Sequence, residues 1–252
     1  MKKLAWILPF LLGSAFLGSC SSHSASEDTS TELRISAAAS LQNALPQIIE
    51  AFEEENEGIT VGPVNFDGSA TLVEQIVGGD KVDVFASADM ANMEKLQSEE
   101  LVSGEPVVFA TNMITLAVPA GNPSDVTDLS QVSDPAVKVA VCAPEVPCGA
   151  ATQKLLELEG IDLEPVTQEQ NVSAVAAKIA SGEVDAGFIY QTDVLGSGAS
   201  IEAVETPDLD PNLYPVAVVK GTDDAQAAEL FVEFLVSAKA KEILAEFGFG
   251  AP

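Results

Sequence analysis

Apolar residues along this chain fall into two alternating rhythms. Short segments at 33–38 and 82–86 are almost continuously apolar or small, as expected of strands covered on both faces. After the first of these, Leu41, Leu45, Ile48, Ile49 and Phe52 recur three and four residues apart, the spacing of one helical face. Pro46 disfavours a helix interior, so an irregular first turn is expected, with the regular helix beginning near Ala44. A strand over 59–66 and a helix over 70–77 continue the alternation. A second series follows, with strands at 107–118, 138–141, 184–190 and 214–219 and helices at about 150–159 and 172–180. Thr222 reads as an N-cap ahead of Asp223 and Asp224, which suit the positive start of a helix. From there Leu230, Phe231, Phe234, Leu235, Ile243, Leu244 and Phe247 mark one long amphipathic helix ending at Gly248. Repeated strand–helix units predict an α/β chain of two lobes, each a mostly parallel sheet flanked by helices. The closing helix is expected to return to the first lobe, giving lobe I as 33–111 with 221–252 and lobe II as 112–220.

The first residues follow a different rule. Lys2 and Lys3 precede an apolar run at 4–17, and Leu17-Gly18-Ser19-Cys20 closes it with small residues before a cysteine. The run is short for a membrane span and has the layout of an export signal. The closing tetrapeptide resembles a bacterial lipobox, which implies a signal peptide over 1–19 and lipidation of Cys20. Residues 20–32 are small, polar and acidic and read as a flexible tether. The one histidine, His23, lies in it.

Composition narrows the function. Eleven Lys and Arg against 39 Asp and Glu give a formal net charge of −28. Nucleic acid and anionic membrane surfaces need a basic footprint that is missing here, so membrane association is expected through the lipid anchor alone. With no histidine in the folded part, Cys–His and Ser–His–Asp nucleophile arrangements have no base, and a zinc site has few ligands. No enzyme, protein-bound metal cation or cofactor is therefore expected.

Four turns each fall between a strand and a helix: Ala38-Ala39-Ser40, Asp67-Gly68-Ser69, Pro147-Cys148-Gly149 and Gln170-Asn171-Val172. Helix starts carry unpaired N–H groups and about half a positive charge, and several converging make an anion site. Ser40, Ser69 and Asn171 equally fit as ordinary helix caps; the two roles are compatible. No Lys or Arg falls in these turns, and Asp67 would repel an anion unless its carboxylate faces away.

Six segments in order resemble the molybdate-binding proteins of ABC transporters. They are Ala37-Ala38-Ala39-Ser40-Leu41 with Ala44-Leu45; 65–76 (NFDGSATLVEQI); 83–89 (DVFASAD); 143–149 (APEVPCG); 184–190 (VDAGFIY) with Asp193; and 214–219 (YPVAVV). Together they cover about 33–250. The resemblance implies a type II periplasmic-binding-protein fold with the ligand in the interlobe cleft, and a monomer that captures molybdate or tungstate for an ABC permease. It further implies an oxyanion held by hydroxyl and N–H of Ser40 and Ser69, the N–H groups of Cys148 and Val172, and the phenol of Tyr190. Sulfate or phosphate is the alternative ligand. Cys142 and Cys148, six apart in an exported chain, are either a disulfide or two buried thiols.

Overall fold

The computed structural model describes residues 31–207 and 209–252. The signal segment, Cys20 and the tether up to residue 30 lie outside the described residues. Thr31 and Glu32, read above as tether, instead stand in a strand.

The first lobe opens with β1 (Thr31–Leu33), β2 (Ile35–Ala38), a 3-10 turn (Ala39–Leu41), α1 (Leu45–Glu55), β3 (Ile59–Val61) and β4 (Asn65–Asp67). It continues with α2 (Ser69–Val77), β5 (Val84–Ala86), α3 (Met90–Ser98) and β6 (Val102–Asn112). The second lobe holds β7 (Ile114–Pro119), β8 (Val139–Cys142), α4 (Pro147–Glu159), β9 (Thr167–Glu169), α5 (Val172–Ala180), β10 (Ala186–Tyr190), α6 (Gln191–Gly196) and β11 (Ile201–Val204). The chain then returns through β12 (Asn212–Val219), α7 (Ala225–Leu235) and α8 (Ala238–Glu246).

Two five-stranded sheets result, ordered β4-β2-β5-β12-β6 and β11-β7-β10-β8-β9. The strand that enters each lobe from the other is antiparallel to both its neighbours: β12 between β5 and β6, and β7 between β10 and β11. The pairs β2–β4, β2–β5, β8–β10 and β8–β9 are parallel. This is the two-lobed type II binding-protein architecture.

Strand alternation supplies two layers of core in lobe I. Val84, Ala86, Val216 and Val218 face α1, α7 and α8, whereas Phe85, Ala217 and Val219 face α2 and α3. Such strands are apolar on both faces, which is why the sequence shows continuous runs there. Phe52 on α1 meets Phe231 and Phe234 on α7 edge-on, with centroids 5.0 and 5.6 Å away, and anchors the returning helix.

Several expectations need correction. The run at 107–118 is two strands in different sheets, with Met113 as the crossing; its N–H turns to Asn112 Oδ1 (2.9 Å) and its carbonyl accepts from Gln191 N–H (2.9 Å). Strand β12 belongs to lobe I, so the second crossing precedes Asn212 rather than falling at residue 220. The segment 59–66 is split between β3 and β4, which pair with different partners. The closing helix is two helices, because Ser237 caps a fresh start by accepting from Ala240 N–H. Thr222 lies ahead of α7, and its hydroxyl donates to Asp83 (2.6 Å). Helix α4 starts three residues early, with Pro147 at its first position, where a missing N–H costs nothing.

Candidate functional site

The parallel strands β2, β4, β8 and β9 all end toward the cleft, and at each end the chain turns into a helical start. Ligands collect beyond carboxyl ends of strands in such sheets. A small cavity lies there, between the two lobes. Ser40, Asp67, Gly68, Ser69 and Ala88 line it from lobe I, and Val146, Pro147, Cys148, Val172 and Tyr190 line it from lobe II. All five residues singled out in the sequence meet in this space.

Backbone geometry makes the lining donor-rich. Ser69 and Val172 are the first residues of α2 and α5, and Cys148 is the second of α4, so their N–H groups have no partner within the helix. Ser40 stands likewise in the first turn of the 3-10 segment. At α5 the Asn171 side chain accepts from Ala174 N–H (2.9 Å), leaving the earlier N–H groups free. Three macrodipoles and one short turn thus present positive ends to one small volume.

The turn before α4 is held by construction. Cys142 and Cys148 are joined as a disulfide with Cα atoms 5.7 Å apart, linking the end of β8 to the first turn of α4. Pro144 and Pro147 fit around that bridge. Gly149 packs its Cα so close to the Ala143 carbonyl that no side chain fits.

Three hydroxyls complete the wall, each buried and each hydrogen-bonded. Ser69 Oγ accepts from Ala88 N–H (3.0 Å). The Tyr190 phenol accepts from Asn212 Nδ2 (2.9 Å), which also donates to the Ala88 carbonyl (3.2 Å). Ser40 Oγ lies 2.8 Å from the Tyr214 phenol, which receives Asn112 Nδ2 at 3.2 Å. Burial raises both phenol pKa values; nearby Tyr214, Asp89 and Asp193 push Tyr190 further up, while the bond with Ser40 holds Tyr214 back. Both therefore stay neutral donors at physiological pH.

Among the described residues no cationic side chain lines the cavity. Arg34 is committed to Asp83 through Nε (2.9 Å) and Nη2 (2.7 Å), and Lys178 to Glu183 and Glu169. The Asp67 carboxylate is occupied along the cleft edge, where one oxygen accepts from Gly68 N–H (2.7 Å) and Asn171 Nδ2 (2.8 Å). The second bond crosses between lobes. Among the described residues no cluster of His, Cys, Asp and Glu suits a metal ion, and no helix is long and apolar enough to cross a membrane.

Asn112, Asn212 and Tyr214 were not singled out as site residues, although Asn112 and Tyr214 interrupt apolar runs. A polar residue inside a two-face-buried strand is the signal that points to them.

Fold and cavity together define a receptor for a small solute, and the chain belongs to the bacterial extracellular solute-binding proteins, whose family model matches residues 33–250. It is 38% identical over 218 residues to the molybdate-binding protein ModA of Mycobacterium tuberculosis, covering 86% of this chain and 83% of that one. The Haemophilus influenzae molybdate-binding protein ModA is 30% identical over 88% of this chain and 91% of its own. The Azotobacter vinelandii periplasmic molybdate-binding protein shares the fold, with a TM-score of 0.75 at 22% identity over 87% of this chain and 99% of that one.

Proposed function

We propose that this protein captures a tetrahedral dianionic oxyanion, molybdate or tungstate, outside the cytoplasm and presents it to the permease of an ABC importer. One observation carries the reading: hydroxyl and N–H donors from both lobes converge on one small cavity that has no cationic side chain among the described residues. A fully ionised oxyanion only accepts hydrogen bonds, so it matches a wall made of donors. Ser40 and Ser69 would grip it from lobe I, and Cys148 N–H, Val172 N–H and the Tyr190 phenol from lobe II. Charge-assisted hydrogen bonds contribute about 1.5–3 kcal/mol each, enough in sum to offset the repulsion of an acidic protein. Relatives named as molybdate-binding proteins support the choice of ligand. The reading needs no cofactor and no catalytic step, and a single chain supplies every donor, consistent with a working monomer.

Cys20 would carry the lipid that keeps the protein at the outer face of the cytoplasmic membrane. A Bacillus subtilis relative, 32% identical over 99% of both chains, bears "substrate-binding lipoprotein" in its name. Thermal unfolding with molybdate, tungstate, sulfate and phosphate tests the ligand, since only species bound to the native state raise the transition temperature. The first two should raise it at concentrations where the last two do not. Equal shifts for all four, or none, would refute the proposal.

A further inference from the structure

We infer that Asn112, Tyr214 and Asn212 are positioning residues that make the site select its oxyanion by protonation state; the inference rests on the oxyanion reading above. A hydroxyl can donate or accept, so a wall of Ser40, Ser69 and Tyr190 would by itself tolerate a ligand that carries its own proton. Discrimination requires that each hydroxyl be turned one way.

Two of the three receive a hydrogen bond from an N–H group, and the third is paired with a phenol. Asn212 Nδ2 fills an acceptor position of Tyr190 at 2.9 Å, and Ala88 N–H fills one of Ser69 at 3.0 Å. An amide nitrogen cannot accept, so both hydroxyl protons are left to point elsewhere; both hydroxyls line the cavity, and the Tyr214 phenol is the other group beside Tyr190. Ser40 is governed through one more step. Asn112 Nδ2 donates to the Tyr214 phenol at 3.2 Å, and Asn112 is itself oriented because its Oδ1 accepts from Met113 N–H at 2.9 Å. An amide flip would forfeit that bond and face the Asn112 oxygen toward Tyr214. With the phenol receiving from Asn112, its proton goes to Ser40 Oγ at 2.8 Å, and the serine proton is turned into the cavity.

Asn112 also donates to Thr192 Oγ1 at 2.8 Å on α6. Standing at the single-residue crossing between lobes, it orients Ser40 in lobe I while tied to lobe II. Among the described residues Asp67 is the one carboxylate lining the cavity, and one of its oxygens is engaged by Gly68 N–H and Asn171. At the three oriented hydroxyls an anion bearing a proton therefore meets donors where it needs an acceptor, at the cost of an unmet buried hydrogen bond.

Sulfate and phosphate test this, being close in size but different in protonation: phosphate carries at least one proton at neutral pH and sulfate carries none. Each is titrated as a competitor of bound molybdate in the wild type, in Tyr214→Phe and in Phe109→Leu. Phe109 packs edge-on against Tyr214 (centroids 6.4 Å apart) but has no polar atom, so its variant reports packing loss alone. In Tyr214→Phe the ring is kept, the donor to Ser40 is lost and Ser40 can turn to accept. Molybdate binding should weaken about three- to tenfold, while phosphate gains on sulfate by about threefold or more. Phe109→Leu should leave the phosphate-to-sulfate ratio unchanged. A ratio unaltered in Tyr214→Phe, or altered equally in both variants, would overturn the inference, as would a wild type that takes phosphate as readily as sulfate. Failure of the wild type to bind molybdate at all would instead remove the oxyanion reading itself.

Discussion

Gly68 offers a test of how tightly the lobes must close. Its backbone, at φ −61° and ψ 136°, suits any residue, so lobe I by itself has no objection to alanine. The obstacle lies across the cleft, where a Cβ at this position would stand 2.1 Å from the Gln170 carbonyl oxygen and 3.4 Å from a Val146 methyl. The carbonyl is backbone, two residues before the Val172 N–H that lines the cavity, and it cannot swing aside as a side chain would. Relief requires the lobes to part locally by more than an ångström. That movement stretches the Asp67–Asn171 bond and carries Val172 away from the ligand. Overpacking of this kind costs about 1–3 kcal/mol, here only in the closed form, which corresponds to molybdate binding about 5- to 150-fold weaker. Without ligand the effect reverses in sign or vanishes, because replacing glycine with alanine at a permitted conformation stabilises by about 0.4–1 kcal/mol through the unfolded chain. Calorimetric titration of Gly68→Ala with molybdate, paired with urea unfolding of the free protein, separates the two terms. Affinity within twofold of wild type would refute the reasoning, and so would a loss of ligand-free stability as large as the loss in binding.

Three further outcomes are expected. Ser69→Ala should weaken molybdate binding by about 1–3 kcal/mol; unchanged calorimetric affinity would remove Ser69 from the site. Asp193 is buried, and burial raises its pKa from 3.8 to about 7 despite the Tyr190 N–H it accepts. Its folded form prefers the proton, so that stability is full below about pH 4 and drains away as pH rises toward 7. Asp193→Asn should therefore gain on wild type across that window, by up to about 4 kcal/mol at the top; a difference in urea stability that is flat with pH would contradict this. Reducing the Cys142–Cys148 bridge should lower stability by about 2 kcal/mol, the entropy of closing its short loop, and should weaken molybdate binding by freeing the turn that carries Cys148 N–H. Unaltered affinity after verified reduction would show that the turn holds its shape without the bond.

Much of this site is legible in the sequence because its donors are local. A strand, a small or hydroxylated residue and a helix start occupy adjacent positions at Ser40, Ser69, Cys148 and Val172, and helix geometry alone then exposes their N–H groups. Tyr190 is legible only through the resemblance. What the sequence hides is non-local. Tyr214 reaches Ser40 across 174 residues and Asn112 across 102, and no spacing rule connects them. Strand β12 reads as lobe II because it follows lobe II in the chain, whereas its partners β5 and β6 lie far upstream. The break at Met113 is masked for another reason: β6 and β7 are both buried at their junction, and only Thr111 and Asn112 interrupt an apolar run that resumes at once in the other sheet. The turn read at 147–149 is already helix, because Pro147 occupies the first helical position, where its missing N–H costs nothing.

Using dipoles rather than cations has a kinetic consequence opposite to that of most anion receptors. A cleft lined with Lys or Arg draws anions over a distance, and salt slows the approach by screening that attraction. Here the positive ends of helices act within a turn's length, while the whole chain carries a formal charge of −28 and repels a dianion at long range. Raising chloride from about 10 to 200 mM shortens the screening length from about 30 Å to less than 10 Å, which removes repulsion but leaves the buried contacts unscreened. Association with molybdate should therefore accelerate with salt, while dissociation, governed by hydrogen bonds inside the closed cleft, stays constant. Stopped-flow association measured across that range decides the matter. A rate that falls with salt would mean that cationic side chains guide the ligand in after all, and that neutral donors alone do not account for capture.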